Sequence, residues 1–181
     1  MKLIFLDIDG VLNCVNSKQY MPAPHNPRIK YVGIDEDKLL NLKHIVDATG
    51  AEIYLTSTWK KDWHKNNKEL QDPFANEIDK RFAAVGLKVT DRTFDSFYSG
   101  RGSGINHVLI TLEPEPEGWV VLDDEYFYDF KKYDISSHLV QTNWEGDGLT
   151  PQLADIAIQV LNNEIQMNFQ HTVTEGHFGK E

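Results

Sequence analysis

The feature that most constrains this chain is its opening. Leu3-Ile4-Phe5-Leu6 runs directly into Asp7-Ile8-Asp9-Gly10. An apolar run of this length, rich in β-favouring residues and ended by Asp-Gly, predicts a buried strand over 3–8. Two later apolar runs end in the same way. Ala51–Leu55 stops at Thr56-Ser57-Thr58, and Trp119–Leu122 stops at Asp123-Asp124. Residues 87–90 and 138–142 read as two further short strands.

Helical periodicity fills the intervals between the strands. Leu39, Leu42, Ile45 and Val46 form one apolar face, opened by Asp35 and closed by Gly50. Phe74, Ile78, Phe82 and Val85 form a second, between Asp72-Pro73 and Gly86. Ile105, Val108, Leu109 and Leu112 form a third, with Ser103 as its expected cap and Pro114 as its stop. Leu153, Ile156 and Leu161 follow Thr150-Pro151 in a fourth. Strands that alternate with helices predict an α/β fold with a mainly parallel sheet. In such sheets the ligand site lies at the carboxyl ends of the strands. Asp7, Asp9, Thr56, Asp123 and Asp124 all fall there, so three strand ends aim chemistry at one rim.

The remaining organisation is simple. Residues 12–34 carry Pro22, Pro24, Pro27 and Gly33, which predicts a long irregular, lid-like loop. Residues 1–167 are expected to form one domain, and 168–181 a polar C-terminal tail. The chain has 181 residues, 40% apolar and 25% charged, an ordinary composition for a soluble globular domain. Its net charge of -10 opposes strong binding to nucleic-acid backbones or acidic membranes as a whole. It does not exclude a local basic patch. Cys14 is the single cysteine, so no intramolecular disulfide forms, which suits a reducing cytoplasm. The N-terminus does not read as a signal peptide, because Asp7 and Asp9 break its apolar run. No stretch approaches the roughly 20 apolar residues that span a membrane.

The residues at the rim suit phosphate chemistry. Side chains two apart on a strand share a face, so Asp7 and Asp9 can work on one ligand. Together they can hold a hard divalent cation such as magnesium. One carboxylate attacks as a nucleophile while the other moves protons to and from the leaving group and water. Gly10 permits a sharp turn whose backbone N–H groups can face phosphate oxygens. Thr56 offers a small hydroxyl donor. Arg101 can neutralise the charge of a transferring phosphoryl group. Asp123 and Asp124 can complete a magnesium shell.

These motifs resemble those of the haloacid-dehalogenase (HAD) superfamily. Leu-Asp-Ile-Asp-Gly-Val-Leu-Asn at 6–13 is similar to its first motif. Leu55-Thr56-Ser57-Thr58-Trp59 is similar to its second, and Val121-Leu122-Asp123-Asp124 to the two-Asp form of its fourth. Arg101-Gly102 before a helix, and Gly148-Leu149-Thr150 after the last strand, resemble the small HAD domains of RNA-repair proteins. The resemblance covers roughly residues 1–162. It implies a Rossmann-like three-layer sandwich with minimal or no cap. It also implies magnesium-dependent phosphoryl transfer through an aspartyl-phosphate intermediate. Asp7 would be the nucleophile. Asp9 would be the acid/base, and would also bind metal through its carbonyl. Thr56, with Ser57 beside it, would bind phosphate. Asp124 would ligate the ion, and Asp123 would orient the basic residue of the third motif. That residue is usually Lys. Here Arg101 takes the place, with Lys88 as the competing choice.

Plainer readings stand beside these. The metal could belong to a non-catalytic HAD-like module that binds an ion or a partner without turnover. An EF-hand is excluded, because Lys18 stands at its twelfth position where a Glu is needed. A carbon–halogen hydrolase is disfavoured by Asp9. Trp59 and Cys14 are read as packing residues. Lys60, Lys61, Lys65 and Lys68 form a basic run, either a solvated helix face or a contact for a phosphate backbone. The expected partner is a phosphorylated substrate, a nucleotide or a nucleic-acid end, with no obligate protein partner.

Overall fold

The strand that opens the chain, β1 (Lys2–Leu6), becomes the centre of a five-stranded sheet in the computed structural model. Residues 1–23, 26–94 and 100–168 are described by it. The expected tail falls almost wholly outside the described residues. The other strands are β4 (Glu52–Leu55), β5 (Val89–Arg92), β6 (Gly118–Asp123) and β7 (Leu139–Gln141). A separate pair, β2 (Tyr20–Ala23) and β3 (Asn26–Val32), lies between β1 and the first helix. The sheet order is β5-β4-β1-β6-β7, and every pairing in it is parallel.

Alternation along β1 sets the two faces. Ile4 and Leu6 pack against α1 (Glu36–Thr49), α2 (Pro73–Ala84) and α4 (Pro151–Leu161) through Leu39, Leu42, Ile78, Phe82, Ala157 and Val160. Leu3 and Phe5 pack on the other face against Ile105 and Val108 of α3 (Arg101–Thr111), with Phe130 and Ile135. Residues 3–6 of β1 are fully buried, as a strand covered on both faces must be. The fold is therefore a three-layer α/β sandwich of Rossmann-like type.

Local signals in the sequence govern most helix ends. Asp72 accepts from the N–H of Ala75 with Pro73 in the first turn, and Thr150 accepts from the N–H of Leu153 ahead of Pro151. Gly50 ends α1 in the left-handed conformation, at φ 67°. Three expectations need correction. Residues 12–34 are not irregular throughout, because β2 and β3 form an antiparallel hairpin within them. Pro22 fits there because a two-stranded ribbon has free edges on which a missing N–H costs no ladder bond. The fifth-strand segment lies at Val89–Arg92 rather than 87–90. And α3 begins at Arg101, so Ser103 lies inside it rather than capping it.

Topology places the site. The chain leaves β1, builds β4 and β5 on one side, then crosses through α3 to build β6 on the other. The resulting switch point lies between β1 and β6, the place at the carboxyl ends where open α/β sheets bind their ligands. No helix among the described residues is long and apolar enough to cross a membrane.

Candidate active site

Strand register brings the key side chains into one row. Leu6 is level with Leu55 of β4 and with Leu122 of β6. The next residue on each chain is Asp7, Thr56 and Asp123, so these three emerge side by side. The ladder continues past the strand ends to fix them. The N–H of Asp7 donates to Leu122 O at 2.9 Å, and that of Thr56 donates to Leu6 O at 2.8 Å.

Asp7 and Asp123 are buried, while Asp124 is half-buried. One carboxylate oxygen from each of Asp7, Asp123 and Asp124 lies within 4.8 Å of the others. Three oxygen donors at this spacing, without His or Cys, suit a hard divalent ion. Burial, and next the negative charge of Asp7, push the Asp123 carboxyl up to about 7. Burial, with Asp7 again second, pushes Asp124 up to about 6.

Arg101 supplies the only counter-charge that the described residues place between these acids. Its Nη1 lies 2.9 Å from Asp7 Oδ2 and 2.5 Å from Asp123 Oδ2. Its guanidinium carbon sits 4.5 Å from the ring centre of Phe127. Burial works against the charge of Arg101, but Asp7 and Asp123 outweigh it and raise its pKa. Lys88 does not compete for this place. It precedes β5 and therefore lies at the amino rim of a parallel strand, where it lines a hollow with Leu87 and Ala83.

Asp9 stands slightly apart from the acidic group. Its Oδ1 accepts from Asn13 Nδ2 and its Oδ2 from Trp59 Nε1, both at 2.9 Å. Burial raises the Asp9 carboxyl, and those two hydrogen bonds offset part of the rise. Two residues singled out in the sequence have local tasks. The Gly10 N–H donates to Asn13 Oδ1 at 3.0 Å, so it is not free to meet a phosphate. What Gly10 contributes is space: φ is +73°, and a Cβ would overlap the Asp124 carboxylate. Ser57 is fully buried and accepts from the N–H of Trp59 at 3.3 Å, capping a short 3₁₀ turn. By contrast, Thr56 Oγ1 is buried and has no hydrogen-bond partner among the described residues.

The lysine run is not a helix face. It spans two 3₁₀ turns, and three of its four members are engaged: Lys60 with Thr56 O, Lys65 with Asp91, Lys68 with Asp79. Asn13, Trp59 and Phe127 were not expected in the site. Asn13 and Trp59 do lie within the two motif stretches, which was their available signal. Phe127 carried none.

The family model for the HAD domain in Swiss Army Knife RNA repair proteins matches residues 3–154. The chain belongs to that HAD family. The match spans every strand of the sheet and all of the rim described above. No curated protein and no solved structure matches the chain. HAD domains are generally phosphohydrolases and typically depend on magnesium, and this HAD domain brings Asp7, Asp123 and Asp124 together in an acidic triad.

Proposed function

We propose that this HAD domain is a magnesium-dependent phosphomonoesterase that carries the phosphoryl group on Asp7, acting on a nucleotide or a nucleic-acid terminal phosphate. The observation that carries the reading is the unpartnered hydroxyl of Thr56. A buried donor without an acceptor costs stability, about 1–3 kcal/mol for an ordinary polar group. Its position, level with Asp7 in the sheet, is where a phosphate oxygen bound for attack by Asp7 would accept from it.

The residues fit magnesium. Asp7, Asp124 and Asp123 would hold the ion, with Asp123 also engaged by Arg101. The Asp9 carbonyl as a further ligand rests on the resemblance alone. When bound, the ion shields the approach of an anionic carboxylate to an anionic phosphate. The protein's own residues supply the other roles. Arg101 and Thr56 orient the phosphate, and an Asp7 oxygen attacks phosphorus. As the bond from phosphorus to the leaving oxygen breaks, Asp9 gives that oxygen a proton. Water then attacks phosphorus, Asp9 takes its proton, and phosphate departs with Asp7 restored. The raised carboxyl of Asp9 supports its use as a proton carrier.

Hydrolysis of a chromogenic aryl phosphate, with magnesium and with chelator, tests the reading. Turnover should require magnesium, and Asp7→Asn should fold and be inactive, since an amide cannot form the acyl phosphate. Full activity after exhaustive chelation, or near-normal turnover by folded Asp7→Asn, sinks it. Magnesium binding without turnover of any phosphoester would return the domain to the non-catalytic reading.

A further inference from the structure

Two side chains hold Asp9, and the steps above give them no task. Asn13 is fully buried and Trp59 is 8% exposed. Each donates one 2.9 Å hydrogen bond to a different oxygen of the Asp9 carboxylate. Neither can reverse its role. An indole N–H only donates. The Asn13 amide is oriented by the Gly10 N–H, which takes its oxygen and leaves its NH₂ facing Asp9. Trp59 is itself wedged from outside. Its ring lies edge-on to Phe74 of α2 at 4.8 Å, and Phe74 lies edge-on to Tyr31 of β3 at 5.2 Å.

We propose that Trp59 and Asn13 are positioning residues for proton transfer by Asp9. They grip the carboxylate from both sides, which fixes its torsion and leaves one lone pair on each oxygen for substrate. The inference rests on the role given to Asp9 above. As the phosphorus–oxygen bond breaks, the proton passes from Asp9 to the leaving oxygen. The charge left on Asp9 is then met at once by two donors already in place. Such donors need no reorganisation when charge develops, so they act on the transition state more than on binding. A Trp59 that merely packs would change stability, and would change all substrates alike.

Trp59→Phe keeps a ring against Phe74 and removes the N–H. With the magnesium-loaded full chain, kcat/KM for an alkyl phosphate should fall about 10-fold or more, the scale of one lost hydrogen bond to a charged group. An aryl phosphate with a good leaving group needs little protonation, so its rate should change much less. In an Asp9→Asn background the same substitution should add no further loss. Equal losses on both substrates, or equal losses in both backgrounds, overturn the clamp. Asp9→Asn alone separates this from the underlying reading: if it affects alkyl and aryl esters equally, Asp9 does not carry the proton and the clamp falls with it. A direct probe covers a Trp59→Phe protein that fails to fold. One of the four tryptophan indole ¹H–¹⁵N signals should shift in Asp9→Ala as its acceptor is lost. Four unmoved signals overturn the proposal.

Discussion

We read Arg101 as the basic residue of the third motif, which in this superfamily is usually Lys, and its geometry suits the exchange. Both ion pairs run through one atom, Nη1, which sits between Asp7 and Asp123. The guanidinium therefore acts here as a point donor, as an ammonium would, rather than as a bidentate fork. Its extra length is taken up over the Phe127 ring. Arg101→Lys should retain activity within about 10-fold of the native chain, whereas Arg101→Gln should lose about 10²–10³ in kcat, the scale of one removed charge-stabilising donor. A Lys variant as poor as the Gln variant would mean that the fork or the Phe127 stack matters more than the bridging charge. Thr56 permits a sharper test, because its two effects should differ in sign. Thr56→Val removes an unpartnered buried hydroxyl at nearly constant volume. Melting temperature should hold or rise, while kcat/KM for a phosphoester falls about 10-fold. Loss of both stability and activity would show that the hydroxyl is already satisfied in the resting protein. Asp7, Asp9, Thr56, Asp123 and Asp124 were legible in the sequence because each lies at or within three residues of the carboxyl end of a strand, where chain position largely fixes spatial position. Arg101 opens a helix rather than ending a strand, so no strand register announces its pairing with Asp7, and its candidacy in the sequence rested on charge and on the resemblance.

The helix that carries Arg101 is held by a residue far away in sequence. Asp129 is buried, and its carboxylate accepts from the N–H of Gly102 at 3.2 Å and of Ser103 at 3.0 Å. It caps the positive end of α3 as a local Asp would. A Cβ at Gly102 would come within 2.9 Å of that carboxylate, which accounts for the glycine. The end of β6 and the segment after it thus hold Arg101 and its helix three ways: an ion pair from Asp123, a ring from Phe127 and a helix cap from Asp129. Asp129→Ala should cost about 1–2 kcal/mol, or roughly 2–8 °C in Tm for a domain of this size. It should also lower kcat while leaving magnesium affinity near native, since Asp129 is not in the acidic triad. Asp129→Asn should restore most of the stability. Unchanged Tm in the Ala variant would show that solvent replaces the cap freely. The same contact explains why α3 starts at Arg101 and not after Ser103 as the sequence predicts. Ser103 looked like a cap because caps are normally adjacent, and a cap supplied 26 residues later leaves no local trace. The hairpin was hidden for a related reason. Prolines mark breaks in most contexts, and only the isolation of β2 and β3 from the main sheet makes Pro22 acceptable in a strand.

At the scale of the whole molecule, the decisive fact is what covers the rim. Among the described residues, the interval between β1 and α1 builds the β2–β3 hairpin, and that between β4 and α3 builds two 3₁₀ turns, α2 and β5. Neither interval holds a separate folded cap among the described residues. An uncapped rim cannot enclose a small ligand, but it admits a phosphate at the end of a long one. Four aromatic rings are well exposed among the described residues: Tyr20 at 58%, Tyr31 at 46%, Phe94 at 67% and Tyr128 at 80%. Tyr20 and Tyr31 lie on the hairpin that follows β1, Phe94 two residues after β5, and Tyr128 five after β6. All four thus leave the carboxyl rim, and exposed rings are platforms on which unpaired bases stack. Charge works in the other direction. The net charge is -10, and within the lysine run Lys65 and Lys68 are already paired with Asp91 and Asp79, so that run offers little to a phosphate backbone. Stacking and the terminal phosphate should therefore supply the affinity, and its dependence on salt should be shallow. We predict that oligonucleotides with a 3′ or 5′ terminal phosphate are hydrolysed with kcat/KM at least equal to that of the matching mononucleotides at fixed low salt. Tyr128→Ala should erode the advantage of the oligomer and spare the mononucleotide. A clear preference for mononucleotides or sugar phosphates over both oligomers would mean that the hairpin closes the site as a cap does, and that the exposed rings serve another purpose.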